Sequence, residues 1–330
     1  MRYLVTGGAG FIGSHYVRSL LGGGLAARSV EAVTVLDKLT YAGVRENLDP
    51  VAMDARLRFV EADILDAGAV DRLVRDADVL VHFAAESHVD RSIAGAADFV
   101  VTNVVGTQTL LDAALRHEIP RFVHVSTDEV YGSIEVGSWP ETHPVSPNSP
   151  YSASKASSDL LALAYHRTSG LPVVVTRCSN NYGPYQVPEK VIPLFVTNLL
   201  DGLPVPLYGD GRNVRDWLHV DDHCRGIQLV AEGGRPGEVY NIGGGTELSN
   251  RELTGLLLSA LGADWSSVQH VEDRKGHDLR YSVDITKIST ELGYTPRMGF
   301  TDGLAATVAW YRDNRAWWEP LKARASLAVG

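Results

Sequence analysis

The chain has 330 residues, 45% of them apolar and 21% charged, an ordinary composition for a soluble globular enzyme with material for a sizeable core. Its net charge of −10 argues against nucleic acid or an anionic membrane surface as partner, while a few local arginines can still hold a small phosphorylated ligand. Two cysteines, Cys178 and Cys224, fit a cytoplasmic setting without a disulfide framework, no stretch is long and apolar enough to span a bilayer, and the opening RYLVTGGAGFIG already reads as strand and turn rather than as a signal peptide.

Residues 3–6, YLVT, form a short apolar run, after which Gly7, Gly10 and Gly13 open a helical pattern lasting to Leu21. Glycines at such a turn let the backbone bend tightly and approach a pyrophosphate, whose charge is met by the helix N-terminus. The pattern is weak by itself, because any strand-to-helix turn favours glycine. A second strand, AVTVLD, strengthens it by ending in Asp37, 24 residues after Gly13, near where a carboxylate holds ribose hydroxyls in a Rossmann unit. A carboxylate there repels a 2′-phosphate, so NAD is expected rather than NADP. Further strands follow in RLRFVEAD, ADVLVHFAA and RFVHVST, with helical segments between them. Continuous apolar strands alternating with helices predict an α/β protein with a Rossmann-type, doubly wound parallel sheet and functional groups beyond its carboxyl edge. Asp63 closes the third strand, placed to cap the next helix or to contact adenine. The loop after VHFAA carries Glu86, Ser87, His88, Asp90 and Arg91. His82 and His88 complete no metal-ligand spacing, so no metal site is expected.

Residues 151–168 have helical periodicity and put Tyr151 and Lys155 on one face. A phenol titrates near pH 10, so acting as a base near neutrality needs a shift of about 3 units, or about 4 kcal/mol. Lys155 and the positive nicotinamide ring can together supply it. Just upstream, Ser126, Thr127, Asp128 and Glu129 stand where the buried strand FVHVS runs out. Adjacent carboxylates on a surface loop are usually only solvated charge. After an apolar strand they can instead divide roles, one ionised as a base and the other protonated as an acid. Thr127 is placed to hydrogen-bond the same substrate hydroxyl as Tyr151. An oxidation pair and a second acid–base pair in one pocket exceed what a simple dehydrogenase needs.

From residue 178 the chain is more broken: CSNNYGPYQVPEK, a helix over about 191–200, then PVPLYGDGRNVRDWLHVDD. Such stretches suit loops that wrap a ligand. Lys190, Arg215 and Arg274 stand near turn residues, and RKGHDLRY draws Arg274, Lys275, His277 and Arg280 together, a grouping matched to diphosphate oxygens. Asn250 falls at a helix start. The tail from Lys322 lacks pattern and is expected to be disordered.

TGGAGFIGS, LDKLTYAG, HFAAESHVDRS, STDEVYG, YSASK, NNYGPYQ, RDWLHVDD and RKGHDLRYS together resemble the extended short-chain dehydrogenase/reductases, from Met1 to about Leu321. Within them the likeness is to the dTDP-glucose 4,6-dehydratases of antibiotic deoxysugar pathways. The glycines and Tyr-x-x-x-Lys are shared widely; ESHVDRS and Thr-Asp-Glu are much more specific. The resemblance implies that Tyr151 takes the C4 hydroxyl proton as hydride passes to a retained NAD. It implies that Glu129 then removes the C5 proton and Asp128 protonates the departing C6 hydroxyl, with Thr127 and Lys155 in support. Hydride return to C6 would give dTDP-4-keto-6-deoxyglucose.

By the same likeness NAD is held by Gly7, Gly10, Phe11, Ile12, Gly13, Asp37, Lys38, Thr40, Asp63, Ile64, Ala84, Ser87, Asn103, Tyr151, Lys155 and Asn180. The small-molecule partner, dTDP-glucose, is held by Ser87, Thr127, Asn180, Lys190, Pro206, Leu207, Tyr208, Arg215, Asn250, Arg274 and His277. Residues 1–177 then form the NAD-binding domain carrying the catalytic residues. Residues 178–330 form a smaller, mixed, mainly nucleotide-sugar-binding region, with about 220–245 returning to the Rossmann core. Family members are commonly homodimers joined through two helices, here about 98–116 and 151–168, whose alanine- and leucine-rich faces are equally suited to internal packing. A 4-epimerase needs Tyr151 and Lys155 but has no use for the acid pair. A decarboxylase typically has serine where Asp128 stands, and a GDP-mannose dehydratase resembles NADP users, which Asp37 disfavours. A dinucleotide-binding regulator without turnover would be signalled by loss of the tyrosine, lysine or carboxylates, and all are present.

Overall fold

The apolar runs pair side by side. In the computed structural model, which describes residues 1–25 and 29–327, the strands in chain order are β1 (Arg2–Thr6), β2 (Ala32–Asp37), β3 (Leu57–Glu61), β4 (Val79–His82), β5 (Arg121–Thr127), β6 (Val173–Cys178), β7 (Asn180–Tyr182), β8 (Val205–Tyr208), β9 (Val214–His219), β10 (Val239–Ile242), β11 (Glu247–Ser249) and β12 (Val268–Val271). The helices are α1 (Phe11–Leu21), α2 (Ala67–Val74), α3 (Val89–Ala94), α4 (Ala97–Val100), α5 (Thr107–Arg116), α6 (Pro150–Ser169), α7 (Val191–Leu200), α8 (Val220–Gly233), α9 (Asn250–Leu261), α10 (Thr286–Leu292), α11 (Phe300–Asp313) and α12 (Arg315–Leu327). A π-helical turn over Val101–Gly106 joins α4 to α5 into one helical stretch.

Seven strands form an all-parallel sheet in the order β10-β6-β5-β4-β1-β2-β3. The Rossmann-type reading of the sequence is correct. Successive side chains on a strand point to opposite faces, so both faces must be apolar and both must be covered. Val5, Val35, Val81 and Val123 pack under α1 and α8, against Tyr16, Leu20, Ile227 and Val230. Their neighbours Leu4, Leu36, Leu80 and Phe122 pack on the other face against Val70, Leu110, Leu111 and Leu163 of α2, α5 and α6. A third core lies apart from the sheet, where Phe195 and Val196 of α7 meet Leu253 and Leu257 of α9, Leu304 and Val308 of α11, and Trp217. Among the described residues no helix is long and apolar enough to cross a membrane.

Two expectations need correction. The strands stop earlier than their apolar runs, β3 at Glu61 and β4 at His82, which leaves Asp63 and Ala84 in loops beyond the sheet edge. The tail from Lys322 is helical as far as Leu327 and belongs to α12. That helix is held by single anchors rather than by an apolar stripe. Trp318 is buried and its indole donates to Tyr311 O at 2.7 Å, while Lys322 Nζ pairs with Asp201 at 2.7 Å. The Trp317 indole also donates to Asn47 Oδ1 at 2.9 Å, tying the end of the chain to its beginning.

Candidate active site

The strand order reverses between β1 and β4, so the loops after these strands diverge and leave a crevice at the carboxyl edge. Gly7 turns the chain there with φ +70°, and a Cβ on it would lie 2.5 Å from Ala84 N. A Cβ on Gly13 would lie 2.3 Å from Gly7 O, so glycine alone lets α1 start this close to β1. α1 has no side-chain cap and no acid in its first turn, which leaves the positive end of its dipole open to an anion. Gly7, Gly10, Phe11, Ile12, Gly13, Asp37, Lys38, Thr40, Asp63, Ile64, Ala84, Ser87, Tyr151, Lys155 and Asn180 all line this one cleft.

Asp37 ends β2 with its carboxylate accepting from Ala9 N and Leu39 N, both at 2.9 Å. Burial raises its pKa while those two bonds and Lys38 act the other way. Asp63 accepts from Leu65 N at 3.0 Å and meets Lys38 Nζ at 3.2 Å; the cap of α2 is Asp66 instead. Asn103 is not in the cleft wall. Its amide exchanges hydrogen bonds with the Glu86 backbone at 2.9 and 3.0 Å and donates to Ser154 Oγ at 2.8 Å, so it shapes the 86–91 loop from behind. The glycine turn, the uncapped helix end, and the carboxylate at the end of β2 fit a dinucleotide. Among the described residues no cluster of three or more His, Cys, Asp or Glu is disposed to hold a metal.

At the middle of the cleft, β5 ends in Thr127, whose hydroxyl accepts from Glu129 N at 3.3 Å and starts a single 3-10 turn, Asp128–Tyr131. That turn carries both carboxyls into the same wall as Tyr151 and Lys155. α6 is fixed at its start by a reciprocal Ser149–Ser152 capping box, with Pro150 in the first turn. One turn on, Lys155 Nζ donates to Val125 O at 2.8 Å.

The two carboxyls differ in setting. Asp128 is 2% exposed, and burial, then Glu129 and Asp216, push its pKa well above the usual carboxylate range. Among the described residues its Oδ2 has no hydrogen-bond partner. Burial also raises Glu129, but Lys190 and Arg215 oppose the shift. The geometry therefore favours a protonated Asp128 beside an ionisable Glu129. Tyr151 departs from the shift that base catalysis requires: burial first, then the Glu129 charge, raises its phenol well above the ordinary value, against a hydrogen bond with Thr127. Lys155, lowered to about 8 by burial, stays largely cationic near neutrality.

A second cleft adjoins the first and shares Glu129, Asn180, Asn181, Gln186 and Lys190 with it. Its wall brings in Pro206, Leu207 and Tyr208 of β8, Arg215 of β9, Asn250 at the start of α9, and Arg274 and His277. Arg215 is 7% exposed, donates to Val214 O and Asp278 O, and lies over the Tyr281 ring at 4.2 Å. Among the described residues it makes no ion pair, a costly arrangement that an anionic ligand would relieve. Lys190 Nζ donates to Ser87 O at 2.8 Å, and Arg274 faces Asp90 at 3.3 Å. RKGHDLRY does not act as one group: Arg280 turns away to a bidentate pair with Glu247, and Lys275 is outside both clefts. Arg215, expected near turn residues, is the second residue of β9, just past the turn at 209–211. Sequence reading missed Asn181, Gln186 and Tyr281, for which only their place inside NNYGPYQ and beside Arg280 gave any signal.

Comparison with known proteins agrees with this geometry. A model of the GDP-mannose 4,6 dehydratase family matches residues 4–307. A dTDP-glucose 4,6-dehydratase of Streptomyces antibioticus is 68% identical over 98% of this chain and 96% of its own length. The solved structure of DesIV, a dTDP-glucose 4,6-dehydratase from Streptomyces venezuelae with NAD and dTDP bound, superposes with a TM-score of 0.96 at 69% identity, covering 97% of this chain and 100% of that one. A UDP-glucose 4-epimerase from Thermus thermophilus in complex with NAD superposes with a TM-score of 0.86 at 34% identity, over 95% of this chain and all of that one. Fold and site thus define a nucleotide-sugar enzyme of the extended short-chain dehydrogenase/reductase kind. Within that class, the chain belongs to the family of the dTDP-glucose 4,6-dehydratases.

Proposed function

We infer that this chain is the NAD-dependent hydro-lyase that converts dTDP-glucose to dTDP-4-keto-6-deoxyglucose. The observation that carries the reading is a buried Asp128, its carboxyl pushed upward by burial, next to Glu129 and in one cleft with Tyr151 and Lys155. An epimerase on the same fold needs only the last two. The streptomycete relatives fit a deoxysugar pathway for an antibiotic.

Bound NAD accepts hydride from C4 and returns it at C6. Tyr151 takes the proton from the C4 hydroxyl, with Thr127 hydrogen-bonded to the same oxygen. The Lys155 charge and a positive ring beside the phenol offset the burial that otherwise keeps Tyr151 protonated. The C4 ketone acidifies C5, Glu129 removes that proton, and Asp128 delivers its own to the C6 oxygen, so that water leaves. The protons gained at the C4 oxygen and at C5 balance the one spent on water and the one returned to C5. Gly7, Gly10, Gly13 and the α1 terminus receive the NAD pyrophosphate, and Asp37 a ribose. Arg215, Lys190 and Arg274 receive the sugar-nucleotide diphosphate, with Pro206–Tyr208 near the base. We place the two domain roles accordingly, residues 1–177 with 220–245 for NAD and the remainder mainly for the nucleotide sugar.

We further read the enzyme as a cytoplasmic homodimer. Its two cysteines are free and buried. Val100, Val101 and Val105, on the 97–116 helical stretch, and Leu160 of α6 are exposed on neighbouring helices, as a helix-to-helix dimer face requires. The test of function is mass and NMR analysis of product from dTDP-glucose deuterated at C4. Water loss with deuterium in the C6 methyl group is expected; dTDP-galactose with deuterium kept at C4 would make the enzyme an epimerase.

A further inference from the structure

The wall of the second cleft holds a carboxyl for which the reaction steps have no use. Asp278 follows β12 and is 6% exposed. Among the described residues it makes no ion pair, unlike its neighbours Arg274, His277 and Arg280. Its two oxygens are taken by neutral donors: Tyr281 Oη donates to Oδ2 at 2.5 Å, and Asn148 Nδ2 donates to Oδ1 at 2.6 Å. Its backbone carbonyl accepts from Arg215 Nη2 at 2.9 Å and from Asn213 Nδ2 at 3.1 Å. Burying a carboxyl without an ion pair is costly, so the two side-chain bonds point to a task that apolar packing does not perform.

Each bond leads to a different part of the site. The Tyr281 ring is buried with the Arg215 guanidinium over it at 4.2 Å. It shares a small core with Val130 and Tyr131 of the turn that carries Asp128 and Glu129, and with Ala156 of α6. The chain just after Asp278 holds the far side of that turn, where Leu279 N and Arg280 N donate to Ser133 Oγ at 3.1 and 3.3 Å and Ile134 N donates to Arg280 O at 3.1 Å. Asn148 immediately precedes Ser149, the cap of α6, and Tyr151 follows in the first turn of that helix. We propose that Asp278 is a positioning residue: its carboxyl sets Arg215, the acid turn and the start of α6 in one arrangement, so that a sugar held by its diphosphate meets Tyr151, Glu129 and Asp128 in reacting geometry. This rests on the reading of Arg215 as the diphosphate ligand and of Tyr151 as the base. A misplacement of about 1 Å between bound substrate and reacting groups costs up to about 100-fold in rate. Asparagine has the shape to keep both bonds, its oxygen accepting from Asn148 and its amide donating to a reversed Tyr281 hydroxyl, whereas alanine makes neither.

The experiment measures kcat and KM with dTDP-glucose, and dTDP affinity by calorimetry, for the wild type, D278A, D278N and N148A. D278A is expected to lower kcat at least about 10-fold while KM and dTDP affinity change less, and D278N to recover most of the lost kcat. N148A, which cuts only the arm to α6, should lower kcat and leave dTDP affinity as it is. Wild-type kcat in D278A, a loss confined to KM and dTDP affinity, or a D278N no better than D278A overturns the proposal. If D278A fails to fold, N148A and Y281F each cut one arm and keep the carboxyl; a lowered kcat in both supports the proposal, and an unmoved kcat in either overturns it. The premise is tested apart from it. Wild-type dTDP affinity in R215M or wild-type kcat in Y151F removes the premise, whereas an unmoved D278A beside impaired R215M and Y151F removes only the role of Asp278.

Discussion

At the scale of single residues, Asp128 is placed where proton donation and stability conflict. A carboxyl held protonated by burial has a folded pKa above its unfolded one. Its contribution to stability is therefore complete below the unfolded value and is lost as pH rises toward the folded one. D128N, neutral at every pH, is expected to melt above the wild type at pH 8 and to converge with it below about pH 4, as thermal unfolding across that range would show. On the proposed assignment, the same substitution removes the proton for the C6 hydroxyl. In single-turnover assays it should slow elimination by at least about 100-fold while leaving C4 oxidation nearly intact. Equal losses in the two steps would take the acid role away from Asp128. Y151F reports on the other pair: it should bind NAD normally yet show almost no NADH absorbance on mixing with dTDP-glucose. Thr127, Asp128, Glu129, Tyr151 and Lys155 were all legible in the sequence because their spacing is local. The raised phenol was not, since it depends on burial and on Glu129 approaching across the fold.

At the scale of elements, the role proposed for Tyr151 depends on how α6 starts. The Ser149–Ser152 box and Pro150 set the first turn, and Tyr151 belongs to that turn. S149A should cost about 1 kcal/mol of stability, read as a fall in the urea midpoint at unchanged slope. Because the freed turn carries Tyr151, kcat should fall more than KM rises. β9 offers a parallel case for binding. Arg215 comes from β9, the middle strand of a three-stranded sheet, β11-β9-β7, in the half of that strand that pairs antiparallel with β11, opposite Leu248. Long-range pairing of this kind leaves no periodic trace in so short a run as ELS, so in the sequence Arg215 shows only the turn residues just before it and not the strand that carries it. R215M should weaken dTDP binding by about 2 kcal/mol or more in titration calorimetry, with NAD affinity kept. Retained dTDP affinity would move the diphosphate to Lys190 and Arg274.

At the scale of the whole molecule, the parallel sheet was legible from β1 to β5 because buried strands are continuous apolar runs that stand out from the helices between them, while β6, Val173–Cys178, was not read as a strand. The C-terminal helix was not. α12 is held by Trp318, bonded to Tyr311 seven residues back, and by Trp317, Arg315 and Lys322, whose partners Asn47 and Asp201 lie more than 100 residues away, contacts that leave no apolar stripe. The outer face of the 97–116 stretch and α6 raises the remaining question of scale. Inward, Leu110, Leu111, Ala162 and Leu163 fill the sheet core, so internal packing accounts for that side of both helices. Outward, Val100, Val101, Val105 and Leu160 are 48%, 43%, 44% and 53% exposed, an apolar strip that the fold leaves uncovered. A two-fold pairing of this strip buries it against itself and makes a four-helix contact, which requires nothing but the same face on a second copy. V105K with L160K puts four like charges into such a contact. Light scattering should then give the mass of one chain where the wild type gives two, with the circular dichroism spectrum unchanged. A variant that stays dimeric would place the interface on another face and leave the strip to a different partner.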